Sequence, residues 1–100
     1  MRISQNDMHS SIIKKIPGGK LLRVDIDYVN TIDEIQITGD FFLHPEDALL
    51  AIEKGLQGIE LPFNPKMAEQ IIRNQLEYQQ ATVVGFSPAD LAAVIAEALP

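Results

Sequence analysis

Hydrophobic and polar positions alternate along the first part of the chain and recur at helical spacing along the rest. From about Ser11 to Phe42 the period is two. Leu22, Val24, Ile26 and Tyr28 alternate with Arg23, Asp25 and Asp27, and Ile35 and Ile37 alternate with Glu34, Gln36 and Thr38. One apolar and one polar face in each stretch predicts half-buried antiparallel strands. The apolar run Ile12, Ile13 and Ile16 lies ahead of them. Between the two runs, Pro17-Gly18-Gly19-Lys20 supplies the positive φ that a tight reversal requires. A second reversal at Asn30-Thr31 completes a meander of three strands in sequential order.

After Phe42 the period becomes helical. Pro45 suits a first helical position, Glu46 and Asp47 fall in the first turn where the helix dipole favours anions, and Leu49, Ile52 and Leu56 form one stripe before Gly58. These predict a helix over 45–57. Gly58-Ile59-Glu60-Leu61-Pro62-Phe63 is a connector. Asn64-Pro65 is a cap followed by proline at the first position of a second helix, which turns Ala68, Ile71, Ile72 and Leu76 inward and runs to about Gln80. Ser87 stands three residues before Asp90, a variant of the capping box, ahead of Leu91, Val94, Ile95 and Ala98 in a third helix. The expected fold class is therefore α+β: a three-stranded antiparallel meander followed by three helices packed on one face of the sheet. Residues 1–10 read as a flexible N-terminal arm. Residues 11–100 read as a single domain, because 100 residues support one core and not two.

Composition narrows the function. With 46% hydrophobic residues the chain can build a core, and no apolar stretch approaches the ~18 residues of a membrane span. The opening MRISQNDMHSS lacks the charged lead and apolar block of a signal peptide, so a soluble cytoplasmic protein is expected. The absence of cysteine excludes disulfides, a thiolate nucleophile, a persulfide carrier, a thiolate zinc site and an iron-sulfur scaffold. A net charge of -6 argues against generic nucleic-acid binding, which depends on many Lys and Arg side chains. The acidity is uneven: residues 1–44 carry 5 basic and 6 acidic side chains, and residues 45–100 carry 3 and 8. Lys14, Lys15, Lys20 and Arg23 gather around the first turn.

Each candidate for chemistry has a plain alternative. Gly18-Gly19-Lys20 suggests a phosphate loop, but that loop needs glycine where Lys14 stands and a hydroxyl residue where Leu21 stands. A hairpin turn is the expectation, with an anion contact by Lys20 as an added role. Asp25 and Asp27 share a strand face, where they either bind a divalent ion or act as an acid/base pair, or else project into solvent; the sequence around them does not match a calcium loop. His44 precedes a helix, and His9, in the arm, is a poor second ligand for a metal; a cap or surface histidine is preferred. In Gly39-Asp40-Phe41-Phe42, adjacent aromatics at a strand end point to opposite faces, so one enters the core and the other is left towards solvent or a partner. Ile59, Leu61 and Phe63 are either core or a docking strip. No nucleophile with its base, no metal-ligand set and no true phosphate loop emerges. The residues point to a small binding or accessory domain without catalytic residues of its own.

The run Lys15-Ile16-Pro17-Gly18-Gly19-Lys20-Leu21-Leu22-Arg23-Val24, then Ile35-Gln36-Ile37-Thr38-Gly39-Asp40-Phe41-Phe42, then the 45–58 helix with Glu53 and Leu56, resembles the C-terminal accessory domain of lipoate-protein ligase A. The resemblance covers roughly residues 12–99, with PGGKL and ITGDFF its most specific parts. In most of that family the domain follows a larger catalytic domain; in some archaea it is a separate subunit of a two-component ligase. The resemblance implies a fold like that of SufE-like and NifU-like scaffold proteins, whose cysteine chemistry this chain lacks. It also implies a role beside a catalytic large subunit that uses ATP, Mg and lipoate to form lipoyl-AMP and transfers the lipoyl group to a lipoyl-domain acceptor. No cofactor is expected on this chain alone. The residues expected near the partner or its phosphates are Gly18, Gly19, Lys20, Asp40, Phe41, Phe42 and His44. A noncatalytic regulatory module that docks on lipoyl domains is the alternative.

Overall fold

The computed structural model describes residues 8–100. Three strands, β1 (Met8–Lys15), β2 (Leu21–Tyr28) and β3 (Ile32–Gly39), form an antiparallel sheet in sequential order. Register follows the alternation: Val24 sits opposite Ile12 and Ile37, and Ile26 opposite Ser10 and Ile35. Leu22, Val24 and Ile26 are fully buried, which places one sheet face against the helices. The pairing shifts at Asp27/Tyr28, a bulge that leads into the second reversal.

Helices α1 (Asp47–Leu56), α2 (Pro65–Tyr78) and α3 (Pro88–Ala98) cover that face. α1 packs on β3, α3 packs on β1 and β2, and α2 lies against both other helices. Ala48, Ile52 and Leu56, Ala68, Ile72 and Leu76, and Leu91, Val94 and Ile95 are the buried stripes, so the helical periodicity identified the inward faces, although Leu49 and Ile71 sit half-buried at the edge of theirs and Ala48 takes the central place. Ile59 is buried, and Leu61 and Phe63 pack on the same core, which assigns that strip to the interior. α1 begins two residues later than expected. The Ala48 N–H reaches the Pro45 carbonyl and Leu49 reaches Glu46, so a tight turn of three-residue spacing leads into the helix.

The caps are local chemistry. The Asn64 side chain accepts hydrogen bonds from the N–H groups of Lys66 (3.0 Å) and Met67 (3.3 Å). Ser87 Oγ accepts from Asp90 N–H and the Asp90 carboxylate accepts from Ser87 N–H, each at 3.1 Å, a complete capping box. Just past the end of α2, Gln80 stands at φ 52, with Gln80 N–H on the Glu77 carbonyl and Ala81 N–H on the Leu76 carbonyl. This paired closure sends the chain back across the helix end without a glycine.

The exposed edge of β3 is covered. Glu53 Oε2 accepts from Ile37 N–H at 2.8 Å, Ile32 N–H donates to the Ile59 carbonyl, and Gly58 N–H donates to the Ile32 carbonyl at the start of the strand. Covering a free edge in this way blocks unwanted strand addition. At the other edge, Lys14 Nζ to Glu97 Oε1 at 3.0 Å ties β1 to α3.

Two features differ from the sequence expectation. A second sheet of two strands, β4 (Phe42–His44) and β5 (Thr82–Val84), joins the segment after β3 to the segment between α2 and α3. It adds to the α+β arrangement of three-stranded sheet and three helices without altering it. In addition, residues 8–10 of the expected N-terminal arm belong to β1, paired with Ile26–Tyr28; residues 1–7 of that arm lie outside the described residues. His9 is thus a strand residue with partners. Among the described residues no helix is long and apolar enough to cross a membrane.

Candidate functional site

The first reversal is a turn in which Gly19 N–H bonds the Ile16 carbonyl at 2.8 Å, with Pro17 and Gly18 at its centre and Gly18 at φ 71. Proline followed by a positive-φ glycine is the composition of a type II turn. The turn does not stand free. Lys20 N–H donates to the Gly85 carbonyl at 3.1 Å, joining the turn to the residue that follows β5. A Cβ on Gly19 would lie 2.5 Å from that same carbonyl oxygen, so the two backbones touch because Gly19 has no side chain.

Gly85 also meets the second motif. A Cβ there would lie 2.8 Å from Lys20 Cγ and 2.9 Å from Phe41 Cβ. Phe41 packs edge-on against Phe86, with ring centroids 5.0 Å apart and planes at 84°. Asp40 N–H donates to the Leu21 carbonyl, next to Lys20. The PGGK turn and the GDFF corner therefore converge on Gly85-Phe86, at one end of the sheet.

The adjacent phenylalanines divide as their alternation requires. Phe41 packs on the core, while Phe42 is 57% exposed and stacks on His44, with centroids 6.4 Å apart and planes at 12°. Across the β4–β5 pair, Phe42 faces Val84, itself 56% exposed. Gly18, Gly19, Lys20, Asp40, Phe41, Phe42 and His44 are thus brought to one end of the molecule. Gly85, Phe86 and Val84 complete the arrangement and were missed in the sequence. Their signal is faint: a glycine between two valines and a phenylalanine, in the short gap between helices.

The turn is not a phosphate cradle. The amides of Gly19 and Lys20 are both committed, and the nearby N-terminus of α3 carries the Asp90 carboxylate on its own cap. What the turn offers an anion is the exposed Lys20 ammonium, which has no ion-pair partner among the described residues.

The outer sheet face carries a separate polar network. Arg23 donates to both Asp25 carboxylate oxygens, at 3.0 and 3.2 Å, and the Ser11 hydroxyl donates to Asp25 as well. His9 Nδ1 lies 2.6 Å from Asp27 Oδ1, and His9 Nε2 lies 3.3 Å from Ser11 Oγ. Ser11, His9 and Asp27 follow the order of a nucleophile, its base and an orienting carboxylate. The single Ser11 proton goes to Asp25, however, so the serine is not activated by His9. Among the described residues no group of three or more His, Cys, Asp or Glu is placed to hold a metal ion.

The hydrogen bonds from Arg23, and next the one from Ser11, hold the Asp25 carboxyl below its ordinary range, against a smaller opposing effect of desolvation. A carboxyl lowered by folding stabilises the fold above its unfolded-state pKa, and that contribution disappears as pH falls through the folded-state value. Asp25→Asn should therefore be less stable than the parent at neutral pH, with the gap closing in strong acid. Urea midpoints at neutral and strongly acidic pH measure this; an equal gap at both contradicts it.

No protein-family model matches the chain, and no curated protein matches it. Among solved structures it is similar to a chain from an archaeal lipoylation system, a bi-partite lipoate protein ligase and its E2 lipoyl domain, from Thermoplasma acidophilum. The TM-score is 0.68 and the identity 31%, over 88% of this chain and 97% of that one. The chain belongs to the lipoate-protein ligase accessory family.

Proposed function

We propose that this chain is the accessory subunit of a two-component lipoate-protein ligase. It docks on a separate catalytic subunit and orders the loops that close over lipoate and ATP, so that lipoyl-AMP forms and pyrophosphate leaves. The lipoyl group then passes to a lysine of a lipoyl domain. The observation that carries the proposal is the 31% identity over nearly the whole of a chain from a bi-partite ligase system.

The end built by the PGGK turn, the GDFF corner and Gly85 is the docking end in this proposal. Its exposed Phe42–Val84 pair supplies apolar area, and Lys20 supplies a cation near the phosphates of the bound nucleotide. Lys20→Ala should lower lipoyl-AMP formation roughly tenfold at limiting accessory subunit, the scale of one charge-assisted contact, and leave thermal stability unchanged. An unchanged rate would assign Lys20 to the turn alone.

The matched system also contains an E2 lipoyl domain, which supports a second reading: direct docking on the acceptor. Tagged chain offered the catalytic subunit and the lipoyl domain separately distinguishes the two. The two-component proposal expects capture of the catalytic subunit; capture of the lipoyl domain alone favours the alternative.

A further inference from the structure

Behind the β4–β5 pair, Phe41, Leu43 and Leu49 form the apolar wall of a cleft of about 310 Å³, with Glu46 at its rim. The three wall residues pack on the core yet remain only half-buried, so they keep apolar surface facing the cleft. The size is at the lower bound of small-ligand clefts, enough for one long side chain and too small for a helix.

Glu46 suits the dipole at the start of α1 but holds no side-chain partner there. It occupies the N-cap of α1, where a side chain ordinarily accepts a hydrogen bond from the first turn, but it makes no capping bond. No hydrogen bond or ion pair reaches its carboxylate among the described residues. Asp47 places a second acid beside it in the first turn. An apolar slot with a carboxylate at its mouth and a second acid beside it complements a long stem ending in a cation. A purely apolar group would desolvate Glu46 without pairing it, and an acidic group would be repelled.

We infer that this cleft receives an arginine or lysine side chain of the catalytic subunit, its stem against Phe41, Leu43 and Leu49 and its cation on Glu46. This rests on the two-component proposal and adds the chemistry of the contact. β4 carries both features on opposite sides of one strand: Leu43 lines the cleft and Phe42 lies on the exposed apolar face.

The test is calorimetric titration of the same organism's catalytic subunit with the parent chain, Glu46→Gln, Glu46→Lys and, on α2, Glu77→Lys, at low and high salt. Thermal unfolding of each variant confirms the fold. Expected losses of affinity are roughly tenfold for Glu46→Gln and roughly a hundredfold for Glu46→Lys, with Glu77→Lys within about twofold of the parent. The parent should also lose more affinity with salt than Glu46→Gln does. If the parent binds and Glu46→Lys binds equally well, the cleft assignment is overturned while the two-component proposal stands. If Glu46 proves to govern binding of the lipoyl domain instead, the assignment is overturned as well. If the parent neither binds nor stimulates lipoyl-AMP formation, both fall.

Discussion

Gly85→Ala is expected to destabilise the chain by about 3 kcal/mol, lowering its thermal midpoint on the order of 15 °C. Two costs add. Gly85 sits at φ 121, a conformation that L side chains rarely adopt, which by itself costs of order 1–3 kcal/mol. The new methyl would also lie 2.8 Å from Lys20 Cγ, 2.9 Å from Phe41 Cβ and 3.1 Å from Phe41 Cα. Lys20 Cγ belongs to a flexible side chain and moves cheaply; the Phe41 backbone, held by β4 and by the Phe86 ring, does not. Gly18→Ala provides the control. Gly18 is also at positive φ, but nothing lies within 4 Å of its missing Cβ, so only the left-handed strain of about 1 kcal/mol is expected. Urea unfolding of the two variants checks the difference. Equal midpoints would show that the turn and the corner are not locked together through Gly85.

The second large effect is on partnership and leaves the fold intact. Phe42→Ala should change stability little, since most of the ring already faces solvent and its stacking partner is the exposed His44. It should raise the concentration of accessory chain needed for half-maximal lipoyl-AMP formation by roughly 30-fold, the loss expected when an aromatic anchor leaves an interface. Val84→Ala, its cross-strand neighbour, should have the same sign with a smaller size. Phe41→Ala should do the reverse in part, because its ring packs on Phe86 and the core, so lost stability precedes lost docking. Titration of the catalytic subunit with each variant, beside its melting curve, separates these outcomes. A Phe42→Ala chain that stimulates at the parent's concentration would remove this face from the interface.

The strands and helices were legible because each has one wet and one dry side. Leu22, Val24 and Ile26 alternate with charged residues, and Ala68, Ile72 and Leu76 recur on one helical face, so periodicity reports burial directly. Asn64 and Ser87 cap through bonds two or three residues away, and such chemistry is written locally. The β4–β5 pair was not legible. Each strand has three residues, too few for a period, and Phe42 pairs with Val84 across two intervening helices. His9 failed for the same reason: its partner Asp27 is 18 positions away, and MRISQNDMHSS shows no alternation that would announce a strand. The site divides in the same way. PGGK and GDFF were visible as motifs, and the split between Phe41 and Phe42 followed from alternation. Their meeting at Gly85 depends on a backbone approach that composition does not record.

The central claim, that this chain completes a catalytic subunit it is not joined to, is tested most directly by lipoyl-AMP formation. The catalytic subunit of the same organism would be assayed with ATP, magnesium and lipoate, with and without this chain at equal molarity. The account predicts little lipoyl-AMP from the catalytic subunit alone and a marked rise on addition, saturating at one chain per catalytic subunit. The same rate of lipoyl-AMP formation with and without the chain would contradict it.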